Sequence, residues 1–293
     1  MLLTIVFGIM IIGFLLGIPV AFTMSMAAFS YFVFNPILTN TMVPLRMVVG
    51  VESYELMAVP LYMLAAHIMN SMGLTIRIFK FTKALVGHFT GGTAHVNILT
   101  SLIFSGMSGS ALADASGIGS VLIKAMKDEG YDAEFSAAVT GASATIGPIF
   151  PPSIPMVLIG AVAGISIGKL FIGGVIPGIL MAIYMSIVSY ILSKKRNYPR
   201  SEKAKWGELW SAFKDAFPAL TTPVIILYGI LGGIFTPTEA GVVAVFYTLI
   251  ISTFVYKESN LSVLFDMLIK AGIETARIMF IVGSAYALAW VLS

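Results

Sequence analysis

The chain has 293 residues, of which 58% are hydrophobic and only 11% are charged, and its formal net charge is +3. A soluble domain is typically about 45–50% apolar and about 25% charged, so this composition excludes a soluble globule, a disordered chain and a nucleic-acid binder. It predicts an all-α polytopic membrane protein. The chain contains no cysteine, which excludes disulfides, thiolate metal sites and a cysteine nucleophile.

The amino-terminal part of the chain is an uncharged apolar run over residues 1–34, broken by Gly17-Ile18-Pro19. It predicts two short helices or one long kinked helix. It has neither a basic start nor a small-residue cleavage site, which indicates a retained membrane segment rather than a signal peptide. A membrane span is predicted over 54–72. Cations alternate with apolar residues over 75–90, which predicts an amphipathic helix in the membrane interface.

Two apolar segments, 95–126 and 133–163, are interrupted in the middle by SGMSGSA at 105–111 and GPIFPPS at 147–153. Each half has about 13 residues and would be about 20 Å long, short of the roughly 30 Å hydrocarbon core. Irregular backbone at membrane depth is tolerated only when it is buried in protein or lines a wet cavity. We therefore predict a re-entrant hairpin over 95–126 and a discontinuous helix over 133–163.

Further spans are predicted over 170–193, 217–234 and 238–256, with an interfacial segment at 260–277 and a last span beginning near Ile278. When the amino terminus is placed outside and the hairpin does not cross, all Lys and Arg residues except Arg46 and Lys169 fall inside. This distribution follows the positive-inside rule and predicts a periplasmic amino terminus.

The order of spans starts again after a basic connector. Five crossings precede the connector, and an odd number turns a second copy upside down. The layout predicts an inverted-repeat transporter with a first repeat at 1–193, a cytoplasmic connector at 194–215 and the start of a second, inverted repeat at 216–293. Because the second repeat lacks its hairpin and broken helix, we expect it to be incomplete and the chain to be truncated at its carboxyl end.

The two interruptions are the best candidates for chemistry. Half-helix carboxyl ends with free carbonyls suit a cation such as Na⁺, and half-helix amino ends suit an anionic substrate. Hydroxyl oxygens are available from Ser105, Ser108, Ser110, Ser143 and Thr145. The alternative is small-residue helix packing without a ligand.

Two acidic residues need separate interpretations. Asp114 is the acid deep in the apolar segments of the first half, and it either functions directly or stabilises the helix that begins beside it. Glu239 looks buried by sequence, but Thr236-Pro237-Thr238-Glu239 fits a capping box with proline at the first helical position. His67, His88 and His95 lack metal-ligand spacing, so no catalytic residue and no cofactor is predicted.

Three stretches together resemble the large, DctM-like permease subunit of tripartite ATP-independent periplasmic (TRAP) transporters. They read GGTAHVN at 91–97, SGMSGSALAD at 105–114 and ASATIGPIFPPSIP at 142–155, and the resemblance covers essentially the whole chain. It implies a Na⁺-driven importer of organic anions such as C4-dicarboxylates or sialic acids, working by an elevator-type movement. It also implies a bacterial inner-membrane location and two partners, a small four-helix membrane subunit and a periplasmic substrate-binding protein.

The resemblance and the interruptions together give candidate site residues. The candidate Na⁺ site comprises Ser105, Gly106, Ser108, Gly109, Ser110, Thr145, Gly147 and Pro148. The candidate substrate site comprises Ser108, Ser110, Asp114, Ser143, Pro151, Pro152 and Ser153.

Two other functions stay open at this point. One is an ion or carboxylate transporter of related architecture that works without a binding protein. The other is an intramembrane serine protease, since Gly106-Met107-Ser108-Gly109 matches a short G-x-S-G pattern. A serine nucleophile needs a base, and no histidine follows His95.

Overall fold

The regular elements of this chain are helical throughout the part described by the computed structural model, residues 2–34, 41–258 and 260–293. The α-helices in chain order are α1 (Leu2–Leu15), α2 (Val20–Val33), α3 (Met42–Val51), α4 (Ala58–Ser71), α5 (Leu74–Val86), α6 (Gly92–Ser108), α7 (Ala111–Ser116), α8 (Ile118–Asp128), α9 (Ala133–Ala144), α10 (Ile154–Ala163), α11 (Ile167–Arg196), α12 (Trp206–Leu231), α13 (Pro237–Ile250) and α14 (Leu261–Leu292). A 3₁₀ turn, Glu55–Met57, precedes α4, and a π-helical turn, Ile251–Val255, extends α13.

Four helices in the described ranges are long and apolar enough to cross a membrane. They are Ile167–Arg196, Trp206–Leu231, Pro237–Val255 and Leu261–Leu292. At 1.5 Å per residue the 30-residue α11 is about 45 Å long, which exceeds the hydrocarbon core of about 30 Å. The all-α polytopic membrane fold predicted from composition is thereby confirmed.

The chain divides into two compact units, Met1–Leu56 with Gly272–Ser293, and Met57–Ala271. The first unit has a core of mostly aliphatic residues from α1, α2, α3 and the end of α14, and the Trp290 ring stacks on Phe32 beside it at 5.6 Å. The hydroxyls of Ser25 and Ser284 lie 2.8 Å apart in the same unit.

The second unit contains both predicted interruptions. Its core is formed by α6, α8, α9 and α11, together with Tyr198 from the connector. Around this core, α4 packs on α13 and α5 packs on α12. Arg77 on α5 pairs with Asp215 and Glu258, and its guanidinium lies 3.9 Å from the centre of the Tyr256 ring.

Both interruptions are breaks in the helices, as predicted. Residues 95–126 contain the end of α6 at Ser108, then α7 and α8, and residues 133–163 contain α9 and α10 separated by nine non-helical positions. The apolar run at the amino terminus forms two helices, which decides between the two alternatives left open. The division into repeats at 1–193, 194–215 and 216–293, like the periplasmic amino terminus, stays a prediction.

Two expectations were wrong. The predicted interfacial segment at 260–277 and the predicted span from Ile278 form one uninterrupted helix, α14. Residues 261–292 contain no proline that would break a helix near Ile278. Glu239 is exposed rather than buried, although the capping box itself is confirmed: its backbone N–H donates to Thr236 Oγ1 at 3.3 Å, and its carboxylate accepts from the Thr236 N–H at 2.8 Å.

Candidate functional site

The first break turns the chain at Gly109. Helix α6 ends because Gly109 takes a left-handed conformation with φ of 61°, which a residue without a Cβ adopts at little cost. Ser110 then caps α7, since its hydroxyl accepts from the backbone N–H of Ala113 at 3.4 Å. The serine and glycine pattern therefore forms a helix stop followed directly by a helix start.

Asp114 lies in the first turn of α7 and is only 1% exposed. The Ser108 hydroxyl donates to its Oδ1, and the Ser105 hydroxyl lies 3.2 Å from its Oδ2. Ser105 also lies 2.6 Å from the carbonyl oxygen of Ser101, and its single proton serves these two acceptors. No basic side chain within the described residues forms an ion pair with Asp114. This carboxylate is buried, and no ion pair with a described residue compensates its charge.

The second break separates α9 from α10. Ser153 caps α10: its hydroxyl accepts from the Met156 N–H at 3.2 Å and donates to the Pro148 carbonyl. The Pro151–Pro152 peptide bond is cis. Several carbonyls of this break accept no hydrogen bond from the described part of the chain, namely those of Thr145, Gly147, Ile149, Phe150, Pro151 and Pro152. The break therefore contains carbonyl oxygens that accept no hydrogen bond from the described residues, and Gly147 within it lies beside the Asp114 carboxylate.

The two breaks meet at two glycines. The backbone N–H of Ile154 donates to the Gly109 carbonyl at 3.2 Å, and a Cβ on Gly109 would overlap the Pro152 carbonyl. A Cβ on Gly147 would lie 2.8 Å from Asp114 Oδ2 and 3.1 Å from the carbonyl carbon of Ser110. Because a side chain at either glycine would push the breaks apart, the glycines allow the two chain segments to touch.

The long helices α11 and α12 pack against the two breaks. A Cβ on Gly106 would lie 2.8 Å from Pro223 of α12, and one on Gly178 of α11 would lie 2.9 Å from the Phe150 ring. Small-residue packing, which was the alternative interpretation of the clusters, is thus present at Gly106. At Gly109 and Gly147 the same residue type instead brings the two breaks together.

Apart from Gly106, which packs against α12, the predicted residues fall into three groups. The structure brings together Ser105, Ser108, Gly109, Ser110, Asp114, Gly147, Pro148, Pro152 and Ser153, with Pro151 buried beside them. Thr145 is exposed and donates to the Ala142 carbonyl of its own helix at 2.6 Å. Ser143 is buried but belongs to a neighbouring cluster.

That neighbouring cluster was not predicted. Ser143 Oγ lies 3.0 Å from Ser101 Oγ and 3.1 Å from Asn97 Oδ1, and the Asn97 amide donates to Thr140 at 2.7 Å. The signal in the sequence is the spacing of 97, 101 and 105, which puts three polar residues on one face of α6. These side chains satisfy one another, and they connect the α6–α9 contact to the site around Asp114.

The family model described as "Tripartite ATP-independent periplasmic transporter, DctM component" matches residues 7–293. The chain is 47% identical over 256 residues to the sialic acid TRAP transporter permease protein SiaT of Haemophilus influenzae, covering 87% of this chain and 42% of that protein. It is 43% identical over 277 residues to the sialic acid TRAP transporter large permease protein SiaM of Vibrio cholerae, covering 94% and 65%.

A third relative is the C4-dicarboxylate TRAP transporter large permease protein DctM of Rhodobacter capsulatus. The identity is 32% over 308 residues, covering 99% of this chain and 69% of that protein. The chain thus spans less than two thirds of the length of the first two relatives.

Proposed function

This chain belongs to the DctM family of tripartite ATP-independent periplasmic transporters, and on that premise we propose that it is the membrane permease of a Na⁺-coupled importer of organic anions. The importer works as a secondary transporter with an elevator-type movement, and it receives its substrate from a periplasmic binding protein. A small four-helix membrane subunit completes the assembly in the bacterial inner membrane. The relatives of this chain are transporter permeases, and we propose no enzymatic activity for it.

Asp114 is the observation that carries the proposal. A buried carboxylate without a positive partner is costly, and it is neutralised either by a cation or by a proton. A proton would satisfy only the carboxyl group, whereas the adjoining break also has carbonyl oxygens that accept no hydrogen bond from the described residues. A hard cation takes oxygen ligands, and discontinuous transporter helices supply such ligands from unwound backbone. The combination favours Na⁺ as the coupling ion.

We further propose that the substrate is a carboxylate bound at the same meeting of the breaks. The named relatives are permeases for sialic acid and C4-dicarboxylates, both of which are organic anions. Residues Pro151, Pro152 and Ser153 precede the amino end of α10, where the helix dipole favours negative charge. A cation bound near Asp114 would strengthen the attraction for this anion, which is a physical basis for coupling.

The test is uptake of radiolabelled sialic acid and C4-dicarboxylate by the full transporter reconstituted in vesicles with its binding protein. We expect uptake only with an inward Na⁺ gradient. Asp114→Asn keeps the shape of the side chain but removes its charge, so half-maximal uptake should need at least about ten times more Na⁺. Asp266→Asn, which removes an exposed acid paired with Lys270, is the matched control and should behave like the natural protein.

Three results of the uptake assay would contradict this proposal. Uptake that is unchanged when K⁺ replaces Na⁺ would overturn the coupling, and uptake driven by a pH gradient without Na⁺ would identify a proton at Asp114. Uptake by this chain without the binding protein would support the binding-protein-independent transporter instead.

The protease alternative gains no support, because the Ser108 hydroxyl donates to Asp114 and the rings of His88 and His95 lie beside Phe89.

A further inference from the structure

An apolar groove of about 580 Å³ runs between α6 and α11 in the second unit. Its walls include Leu99 and Leu102 of α6 and Ile179, Ile183, Ile187 and Tyr190 of α11, and we call it the α6–α11 groove. The three isoleucines and the tyrosine are 40–49% exposed, so the groove is open at the surface of the unit. It lies apart from the site around Asp114.

The dimensions of the groove fit one leaflet of a bilayer. From Ile179 to Tyr190 is eleven residues of helix, or about 16 Å. The hydrocarbon core is about 30 Å thick, so the groove extends through about half of it. A transmembrane helix is about 10 Å wide and crosses both leaflets, whereas a lipid acyl chain occupies one leaflet.

One end of the groove is polar and carries positive charge. The isoleucine positions of α11 recur every four residues, and the same face continues through Tyr190 to Lys194. Lys194 is exposed and forms no ion pair with any described residue, whereas Arg196 two positions later pairs with Asp132 at 2.9 Å. A cation without an anionic partner therefore lies just beyond the apolar walls.

Buried polar atoms at this end also lack partners. They are His88 Nδ1, His95 Nε2 and Ser193 Oγ, which accept or donate no hydrogen bond within the described ranges. The His95 ring lies 6.5 Å from the Tyr190 ring and 6.1 Å from the Phe89 ring. Aromatic side chains next to basic residues are typical of the membrane–water interface, where lipid headgroups lie.

We propose that the α6–α11 groove binds an anionic phospholipid, with one acyl chain between the helices and the phosphate beside Lys194. The apolar walls account for the acyl chain, since each buried methylene contributes favourably to binding. Lys194, which forms no ion pair with any described residue, accounts for the headgroup, since anionic lipids attract basic residues near the surface. The acyl chain matches the apolar walls of the groove, and the anionic headgroup matches its basic end.

The test is native mass spectrometry of the purified full chain with added phosphatidylglycerol, phosphatidylcholine or inorganic phosphate. We expect one retained phosphatidylglycerol. Ile183→Trp fills the groove and should lower retention at least about ten-fold, whereas Ile172→Trp adds the same side chain to an exposed position of α11, about 10 Å before the groove begins, and should not. Lys194→Gln should lower the preference for phosphatidylglycerol over phosphatidylcholine about five-fold, and Lys195→Gln on another face should leave it unchanged.

Lys194→Gln changes an exposed side chain without an ion-pair partner, so it keeps the test decisive even when Ile183→Trp does not fold. Equal retention in Ile183→Trp and Ile172→Trp, or equal preference in Lys194→Gln and Lys195→Gln, would overturn the proposal. Displacement of the lipid by inorganic phosphate would show that the acyl chain contributes nothing. Loss of a co-purified membrane subunit from Ile183→Trp, with lipid retention unchanged, would show that a protein helix occupies the groove and would also overturn the proposal.

Discussion

Replacing Gly147 with alanine adds one methyl group at the point where the two breaks touch. The Cβ would lie 2.8 Å from Asp114 Oδ2, 3.1 Å from the Ser110 carbonyl carbon and 3.3 Å from the Ala111 nitrogen. Ordinary contacts begin near 3.4 Å, so the carboxylate must retreat by about 0.6 Å or α7 must shift. Gly147 does not have a positive φ, so alanine brings no backbone strain and the substitution tests space alone. We expect a loss of about 1–3 kcal/mol in the free energy of unfolding.

Gly141→Ala is the matched control, six residues earlier on α9. Nothing lies within 4 Å of a Cβ at Gly141, and alanine is favoured over glycine inside a helix by about 1 kcal/mol. The same substitution should therefore stabilise at one position and destabilise at the other, a difference of about 2–4 kcal/mol.

The assay is unfolding of the purified protein in NaCl and in KCl. A ligand that binds only the folded state stabilises it, so the natural protein and Gly141→Ala should be more stable in NaCl. Gly147→Ala should need about 5–150 times more Na⁺ for the same stabilisation, which is the factor that corresponds to 1–3 kcal/mol. If Gly147→Ala unfolds like Gly141→Ala and responds equally to Na⁺, the close approach of the two breaks does not shape the site.

Three other outcomes follow from the contacts. Ser108→Ala removes a donor to the buried carboxylate and should cost about 1–3 kcal/mol of unfolding free energy, measured by the same assay. Arg77→Met should destabilise the chain measurably because two carboxylates lose a shared partner, whereas Lys270→Met breaks one exposed i,i+4 pair and should change stability by less than about 0.5 kcal/mol. The Tyr198 hydroxyl donates to Asp132 and, with a neighbouring arginine, lowers the pKa of that carboxyl. The stability contributed by this hydrogen bond is therefore present above the usual aspartate pKa of about 4 and is lost as the pH falls through the lowered value. We expect the unfolding temperature of Tyr198→Phe to depend less on pH across that acid range than the unfolding temperature of the natural protein does.

Much of the local structure was predictable because it depends on neighbours in sequence. Glycine and proline place the two breaks regardless of what surrounds them, since one frees φ and the other removes a backbone donor. The capping box at Thr236 and Glu239 was predicted for the same reason, since its two hydrogen bonds join residues three apart. The wrong exposure of Glu239 came from judging burial by the apolar residues that follow it.

The sequence by itself determined a polytopic helical membrane protein in which two apolar segments are interrupted in the middle. Composition and the positions of glycine and proline determine these features locally, without reference to the tertiary structure. Only the tertiary structure decided that Gly109 touches Pro152, that Gly147 touches Asp114, and that Ser105 and Ser108 are the partners of this carboxylate. It also decided that Thr145 faces outward and that a groove forms between α6 and α11. These facts depend on which helix faces pack together, and that packing joins positions far apart in the chain, for which no local signal exists.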